Sequence, residues 1–148
     1  MHSAPLSILF ILLLILSSCT KNEENTTSED LNIDTTLVGK HGRLEVKGNQ
    51  IVDKHGNPMS LAGNSFFWSN DNWGGERYYK REVVSWLKKD WNTTIVRAAM
   101  GVEDPGGYIE NKNGNKNRIK VIVEAAINEG IYVITVSYTH LTLPTKRN

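Results

Sequence analysis

Arg97 stands inside a short apolar run, Thr94-Ile95-Val96-Arg97-Ala98-Ala99-Met100. A guanidinium held in such a place can keep a neighbouring carboxylate ionised, because a close positive charge lowers its pKa. Four tryptophans, Trp68, Trp73, Trp86 and Trp91, fall close together. Their flat amphipathic rings can offer a stacking surface or fill a core. Proton transfer needs carboxylates that converge on one point. Glu103 and Asp104 are adjacent, so on an extended chain they face opposite ways. Glu76 and Glu82 flank or begin a helix, where a solvated face explains them. None of the four is read as catalytic, and His140 is given no catalytic role. Cys19 is the only thiol, so there is no internal disulfide framework and no Cys/His cluster at metal-ligand spacing. Gly74-Gly75 and Gly106-Gly107 lack the spacing of a phosphate-cradling loop. No metal and no cofactor are expected.

These residues need a scaffold, and Leu61–Ile134 supplies one by reading strand, helix, strand, helix, strand. Such alternation predicts parallel strands joined by crossover helices, an α/β fold. Arg43–Asp53 alternates around Gly48-Asn49, which is a hairpin signal. A second turn follows at Lys54–Pro58. Tyr79, Val83, Trp86 and Leu87 stand at i, i+4, i+7 and i+8, so they share one helical stripe packed on the sheet, with Lys80, Arg81, Lys88 and Lys89 outside. Asn92-Thr93 breaks that helix. A second helix places Ile119, Ile122, Val123, Ala126 and Ile127 on one face, and Gly130 sits where a left-handed residue after the helix is wanted. Ile131-Tyr132-Val133-Ile134 is the next strand.

Overall composition is ordinary for a globular domain, with 39% apolar and 22% charged residues and a net charge of +1. Bulk electrostatics therefore favours neither nucleic acid nor a membrane surface as partner. The amino end differs. Leu6–Leu16 is almost wholly apolar, too short for an ordinary membrane span and the right size for the core of a signal peptide. Together with Leu16-Ser17-Ser18-Cys19 it resembles a bacterial lipoprotein signal, although Met1–Pro5 contains no Lys or Arg. That resemblance implies lipidation at Cys19 and an extracytoplasmic chain anchored to the outer membrane or cell surface, its acyl chains holding at about 0.8 kcal/mol per buried CH₂. Residues 20–37 are polar and are expected to be a disordered tether, because they bury too little to offset the entropy of ordering. Glu23-Glu24 after Lys21 resembles the export tags of surface lipoproteins in the Bacteroidetes.

From Gly42-Arg43-Leu44 through Leu61-Ala62-Gly63-Asn64-Ser65, the chain resembles the opening of glycoside hydrolase family 5. Trp86-Leu87-Lys88-Lys89-Asp90-Trp91, Val96-Arg97-Ala98-Ala99-Met100, Gly107-Tyr108-Ile109, Val123-Glu124-Ala125-Ala126 and Gly130–Ile134 continue the likeness in order. It is similar above all to bacterial endo-β-1,4-glucanases (cellulases). The resemblance implies the N-terminal part of a (β/α)8 barrel, about the first three strands and two helices, preceded by a hairpin that closes the N-terminal face. Residues 38–135 are then a truncated catalytic domain, since a full barrel takes about 250 residues.

By the same resemblance Arg97 lies at the C-terminal mouth of the second barrel strand, contacts the nucleophile and supports catalysis. Trp68 and Trp73, in the loop after the first strand, bind a distal sugar, while Phe67 stands where many members have histidine. Trp86 and Trp91 are assigned to packing. Retaining glycosidases need two carboxylates about 5–5.5 Å apart. In the family these are glutamates at the ends of the fourth and seventh strands, the first within Asn-Glu-Pro, a tripeptide that occurs nowhere in this sequence. Both catalytic glutamates are absent, so the chain alone is expected to be inactive. Residues 136–148 leave the family pattern and resemble translated sequencing-adapter read-through, a non-native tail. The implied activity is retaining hydrolysis of β-1,4 bonds in cellulose or related plant β-glucan by a monomer. The alternative is a non-enzymatic surface glycan-binding lipoprotein.

Overall fold

The computed structural model describes residues 35–139. Cys19 and its signal segment, the tether through residue 34, and residues 140–148 with His140 lie outside the described residues. The described residues begin at Thr35, inside the stretch expected to be tether. Thr36 is extended, and its hydroxyl accepts from the Gly39 amide at 3.0 Å. It thereby caps the short helix α1, Leu37–His41. Strands β1 (Glu45–Lys47) and β2 (Gln50–Val52) pair antiparallel, Glu45 opposite Val52 and Lys47 opposite Gln50. Gly48 and Asn49 form the two-residue turn that was read from the sequence, and Gly48 has φ +60°.

β3 (Gly63–Ser65), α2 (Arg81–Trp91), β4 (Ile95–Gly101), α3 (Lys112–Asn128) and β5 (Tyr132–Tyr138) follow. The three strands form one parallel sheet in the order β3-β4-β5. Two consecutive strand–helix–strand units are therefore present, as the alternation of periods predicts. α2 stops at Asn92, which adopts the left-handed conformation at φ 50°. α3 gives way to Gly130 at φ +63°, where the Gly130 amide donates to Ile127 O at 3.0 Å. A Cβ on Gly130 would lie 2.3 Å from Thr36 Cβ, so α1's cap sits on this turn. The Tyr132 hydroxyl at the start of β5 donates to Gly42 O at 2.7 Å. α1 and the hairpin thus lie at the end of the sheet where the strands begin.

The core lies between the helices and one sheet face. Val84 and Leu87 of α2 and Ile122, Ala125 and Ala126 of α3 meet Phe66, Val96, Ala98 and Ile131. The expected stripe on α2 is corrected here. The helix begins at Arg81, and Tyr79 precedes it with φ −74° and ψ 68°. Tyr79, Val83 and Leu87 reach the core as expected, but counting helical turns from Tyr79 misplaces two residues: Val84 is fully buried, whereas Trp86 is 50% exposed. Trp91 is 60% exposed, so neither tryptophan assigned to packing is in the core. Their rings lean on each other instead, centroids 5.6 Å apart and tilted by 56°. Similarly, Ile127 of α3 is exposed while Ala125 is buried. The last strand is longer than expected, because β5 pairs with β4 from Tyr132 opposite Ile95 to Tyr138 opposite Gly101.

Candidate functional site

Side chains alternate across a strand, so residues in register share a face. Val96 and Ala98 point to the helices. Ser65, Arg97 and Ile134, aligned across β3, β4 and β5, therefore lie on the other face. Arg97 is the third of seven residues in β4, level with Ser65 at the end of β3. It is thus at the mouth relative to β3 but not relative to β4, which continues to Gly101 paired with β5. Small Ala98 and Ala99 fit this longer pairing.

The Arg97 guanidinium donates from Nη1 to Ser65 Oγ at 2.7 Å and from Nη2 to the Tyr138 hydroxyl. Its carbon lies 5.2 Å from the Tyr138 ring centroid. Among the described residues no carboxylate forms an ion pair with it. A half-buried cation with only neutral partners is an electrostatic surplus, and a carboxylate brought to this face would be held ionised by it. Neither Glu103–Asp104 nor Glu76 and Glu82 reaches Arg97 as an ion pair. Among the described residues, no three His, Cys, Asp or Glu side chains converge to hold a metal ion.

The loop after β3 carries the aromatic candidates, and the structure brings them together. Trp68 stacks on Trp73 with centroids 5.6 Å apart and planes 11° apart. Trp68 also stacks on Tyr138 at 4.6 Å and 20°. Trp73 leans on Phe67 at 6.1 Å. Trp73 is 39% and Phe67 57% exposed, so these two offer ring surface to solvent. Trp68 has ceded area to its neighbours and acts more as the base of the stack. Tyr138 lies within residues 136–148, the segment set apart in the sequence as a non-native tail, and links Arg97 to the tryptophans.

Several polar residues not singled out from the sequence hold this loop. Asn111 is the N-cap of α3, its Oδ1 accepting from the Gly114 amide at 2.9 Å, while its Nδ2 donates to Asp71 Oδ2 at 2.7 Å. Arg118 pairs with Asp71 at 2.5 Å and donates to Ser69 O at 2.8 Å. These contacts, the Asn111 hydrogen bond first, lower the Asp71 pKa below the ordinary carboxylate value. Asn115, fully buried, accepts from Ser69 Oγ at 2.6 Å and donates to Gly106 O and Asn111 O, both at 3.0 Å. Asn70 Nδ2 donates to Pro105 O at 3.1 Å, while its buried Oδ1 has no hydrogen-bond partner. Gly106 at φ +72° is obligatory twice over, since a Cβ there would lie 2.5 Å from Asp71 O. Behind the loop, the buried Tyr79 hydroxyl lies 2.7 Å from Ala99 O and 2.8 Å from Phe67 O. Burial pushes its pKa up to about 12. The only sequence sign of this network was the spacing of Asn111, Asn115 and Arg118 at i, i+4 and i+7 on one helix.

The family model for cellulase (glycosyl hydrolase family 5) matches residues 52–142. The chain belongs to glycosyl hydrolase family 5. Endoglucanase Z of Dickeya dadantii is 47% identical over 97 residues, which are 66% of this chain and 22% of that relative. A solved structure from Cytophaga hutchinsonii is 48% identical at a TM-score of 0.65, matching 71% of this chain and 33% of the other. The catalytic domain of a Thermobifida fusca endoglucanase, solved with cellotetraose, is 30% identical at a TM-score of 0.62, over 70% of this chain and 33% of that one. The described sheet and helices are thus a partial family 5 α/β fold, and the chain spans about a fifth of Endoglucanase Z.

Proposed function

We propose that this chain is the N-terminal part of a retaining β-1,4-glucanase acting on cellulose or a related β-glucan. The two catalytic glutamates would lie on strands beyond the three described, and Cys19 would tether the enzyme by lipid outside the cytoplasm. The observation that carries the reading is Arg97, a cation on the sheet face opposite the helices, with hydroxyl partners and, among the described residues, no acid paired to it. In a retaining site its role is to hold the nucleophilic carboxylate ionised between turnovers. Beside it, Trp73 and Phe67 offer flat exposed surface against which the apolar face of a glucose ring packs. Endoglucanase relatives, and the cellotetraose bound to one of them, support a β-glucan as the substrate class.

A glycan-binding lipoprotein without hydrolytic activity draws on the same exposed rings. Reading genomic DNA past the codon for Ile134 separates the two. An open frame reaching Asn-Glu-Pro some tens of residues later is expected, and a genuine stop codon in its place overturns the enzyme reading. The protein encoded by that open frame is called the longer gene product below.

A further inference from the structure

The loop that carries the stacked tryptophans is tied to α3 and to the segment before it by a dense set of polar contacts. Ser69, Asn70, Asp71 and Asn72 separate Trp68 from Trp73. Left free, such a segment would lose backbone entropy in bringing its two rings into register. Three of the four residues are instead anchored from outside. Ser69 is held at Oγ by Asn115 (2.6 Å), at its carbonyl by Arg118 (2.8 Å) and at its amide by Ala99 O (3.0 Å). Asn70 reaches Pro105 O, and the Asp71 amide donates to Gly106 O at 2.9 Å. The Asp71 carboxylate is gripped by both Asn111 and Arg118. Asn72 closes the bend at φ 65°. Ser69, Asn70 and Asn115 are all fully buried, and a buried polar cluster is costly unless nearly every member is bonded.

We propose that the Asn111–Asn115–Arg118 edge of α3 is a positioning device for the Trp68–Trp73 stack, with the Ser69–Asn115 hydrogen bond as its central tie. It sets how tightly the site holds the distal end of a β-glucan chain. This rests on the reading of the ring stack as a sugar platform. Asn111, Asn115 and Arg118 are positioning residues: they touch no substrate, and they act through the geometry of the two rings. The helix is a rigid reference, so the parallel ring planes are fixed before substrate arrives and no ordering cost falls on binding.

The test uses Ser69→Ala and Asp71→Asn in the longer gene product, since Asn115→Ala would hollow out the buried cluster, take the acceptor from the buried Ser69 hydroxyl and endanger folding. kcat and KM are measured on cellopentaose, which reaches the distal rings, and on a chromogenic aryl cellobioside, which is too short to do so. KM for cellopentaose is expected to rise about 3- to 10-fold, the size of one lost hydrogen bond. kcat and the aryl cellobioside KM stay where they were. In a Trp73→Ala background the same substitutions add nothing, because the platform they orient has gone. Equal KM rises on both substrates, or full additivity with Trp73→Ala, overturns the proposal, as a general loss of stability would act on both alike. If the unmodified protein binds cellopentaose, read by quenching of tryptophan fluorescence, yet hydrolyses no β-glucan, only the enzyme reading fails. The quenching Kd of the two variants then decides the positioning claim. No cellopentaose binding at all overturns both.

Discussion

Arg97 and Tyr79 show how much of a site's electrostatics depends on single atoms. Arg97 spends its two guanidinium ends on hydroxyls, so its charge remains available to an acid on the same face. On the proposed reading, Arg97→Ala in the longer gene product raises the nucleophile's pKa. The acid limb of the kcat/KM profile should then move up by about 1–3 pH units. A pH–rate profile of unchanged shape and lower height would mean that Arg97 only shapes the fold. Tyr79 behaves oppositely, as a neutral donor. Its folded pKa, about 12, lies above the unfolded value near 10. Its contribution to stability is therefore complete below about pH 10 and is lost as pH climbs through about 12. Tyr79→Phe leaves carbonyl oxygens of Ala99 and Phe67 without this donor and should cost about 1–3 kcal/mol at neutral pH. The difference from the parent in urea denaturation should shrink above pH 10.

Between elements, the junctions are polar where the cores are apolar. Asp53, 2% exposed, fastens the turn after β2 to α1. It accepts from the backbone amides of His55 and Asn57, both at 2.9 Å, and from His41 Nδ1 at 3.0 Å. These bonds, that from His41 first, place its pKa well below the usual carboxylate range. The sign follows: stability from this clasp is present above the unfolded pKa near 4 and is lost as pH falls through the lower folded value. Asp53→Asn should melt earlier than the parent at pH 7, with the gap in thermal midpoint narrowing as pH drops below about 4. A gap that is constant with pH would exclude the clasp. The alternation of strands and helices was legible in the sequence because apolar runs such as Thr94–Met100 and turn residues such as Gly48-Asn49 carry periodic signals. Helix phase was legible only in part, since Tyr79, Val83 and Leu87 do reach the core while Trp86 does not. Starting the count at Tyr79, two residues before α2, turned Trp86 inward on paper while the structure turns it out. The Ser69–Asn115–Asp71–Arg118 network showed in the sequence only as a polar spacing along α3, because isolated polar residues in loops read as solvated until the fold brings distant ones together. Arg97 was legible as an unusual cation, whereas its distance from the strand end depends on how far β5 pairs.

At the largest scale, the described helices cover one face of the sheet only. Parallel sheets are ordinarily buried on both faces. Here Ile134 on the helix-free face is 49% exposed. A cleft of about 290 Å³ opens at the β3 edge, lined by Ser65, Phe66, Phe67, Tyr78, Val83 and Leu87 among others. An exposed parallel edge and an uncovered apolar face favour association over solubility. Both features are what further strands of a closed barrel would cover, and the relatives, matched over 22–33% of their lengths, are long enough to supply them. The proposed chemistry places the nucleophile and the acid/base on those strands, with Arg97 and the aromatic loop contributed from here. The decisive measurement is hydrolysis of a soluble cellulose derivative by the 148-residue chain and by the longer gene product, side by side, with the configuration of the released anomers followed by proton NMR. The expected result is no turnover by the former and hydrolysis with retention by the latter. Turnover by the 148 residues alone, or inverted product from the longer chain, would contradict the account.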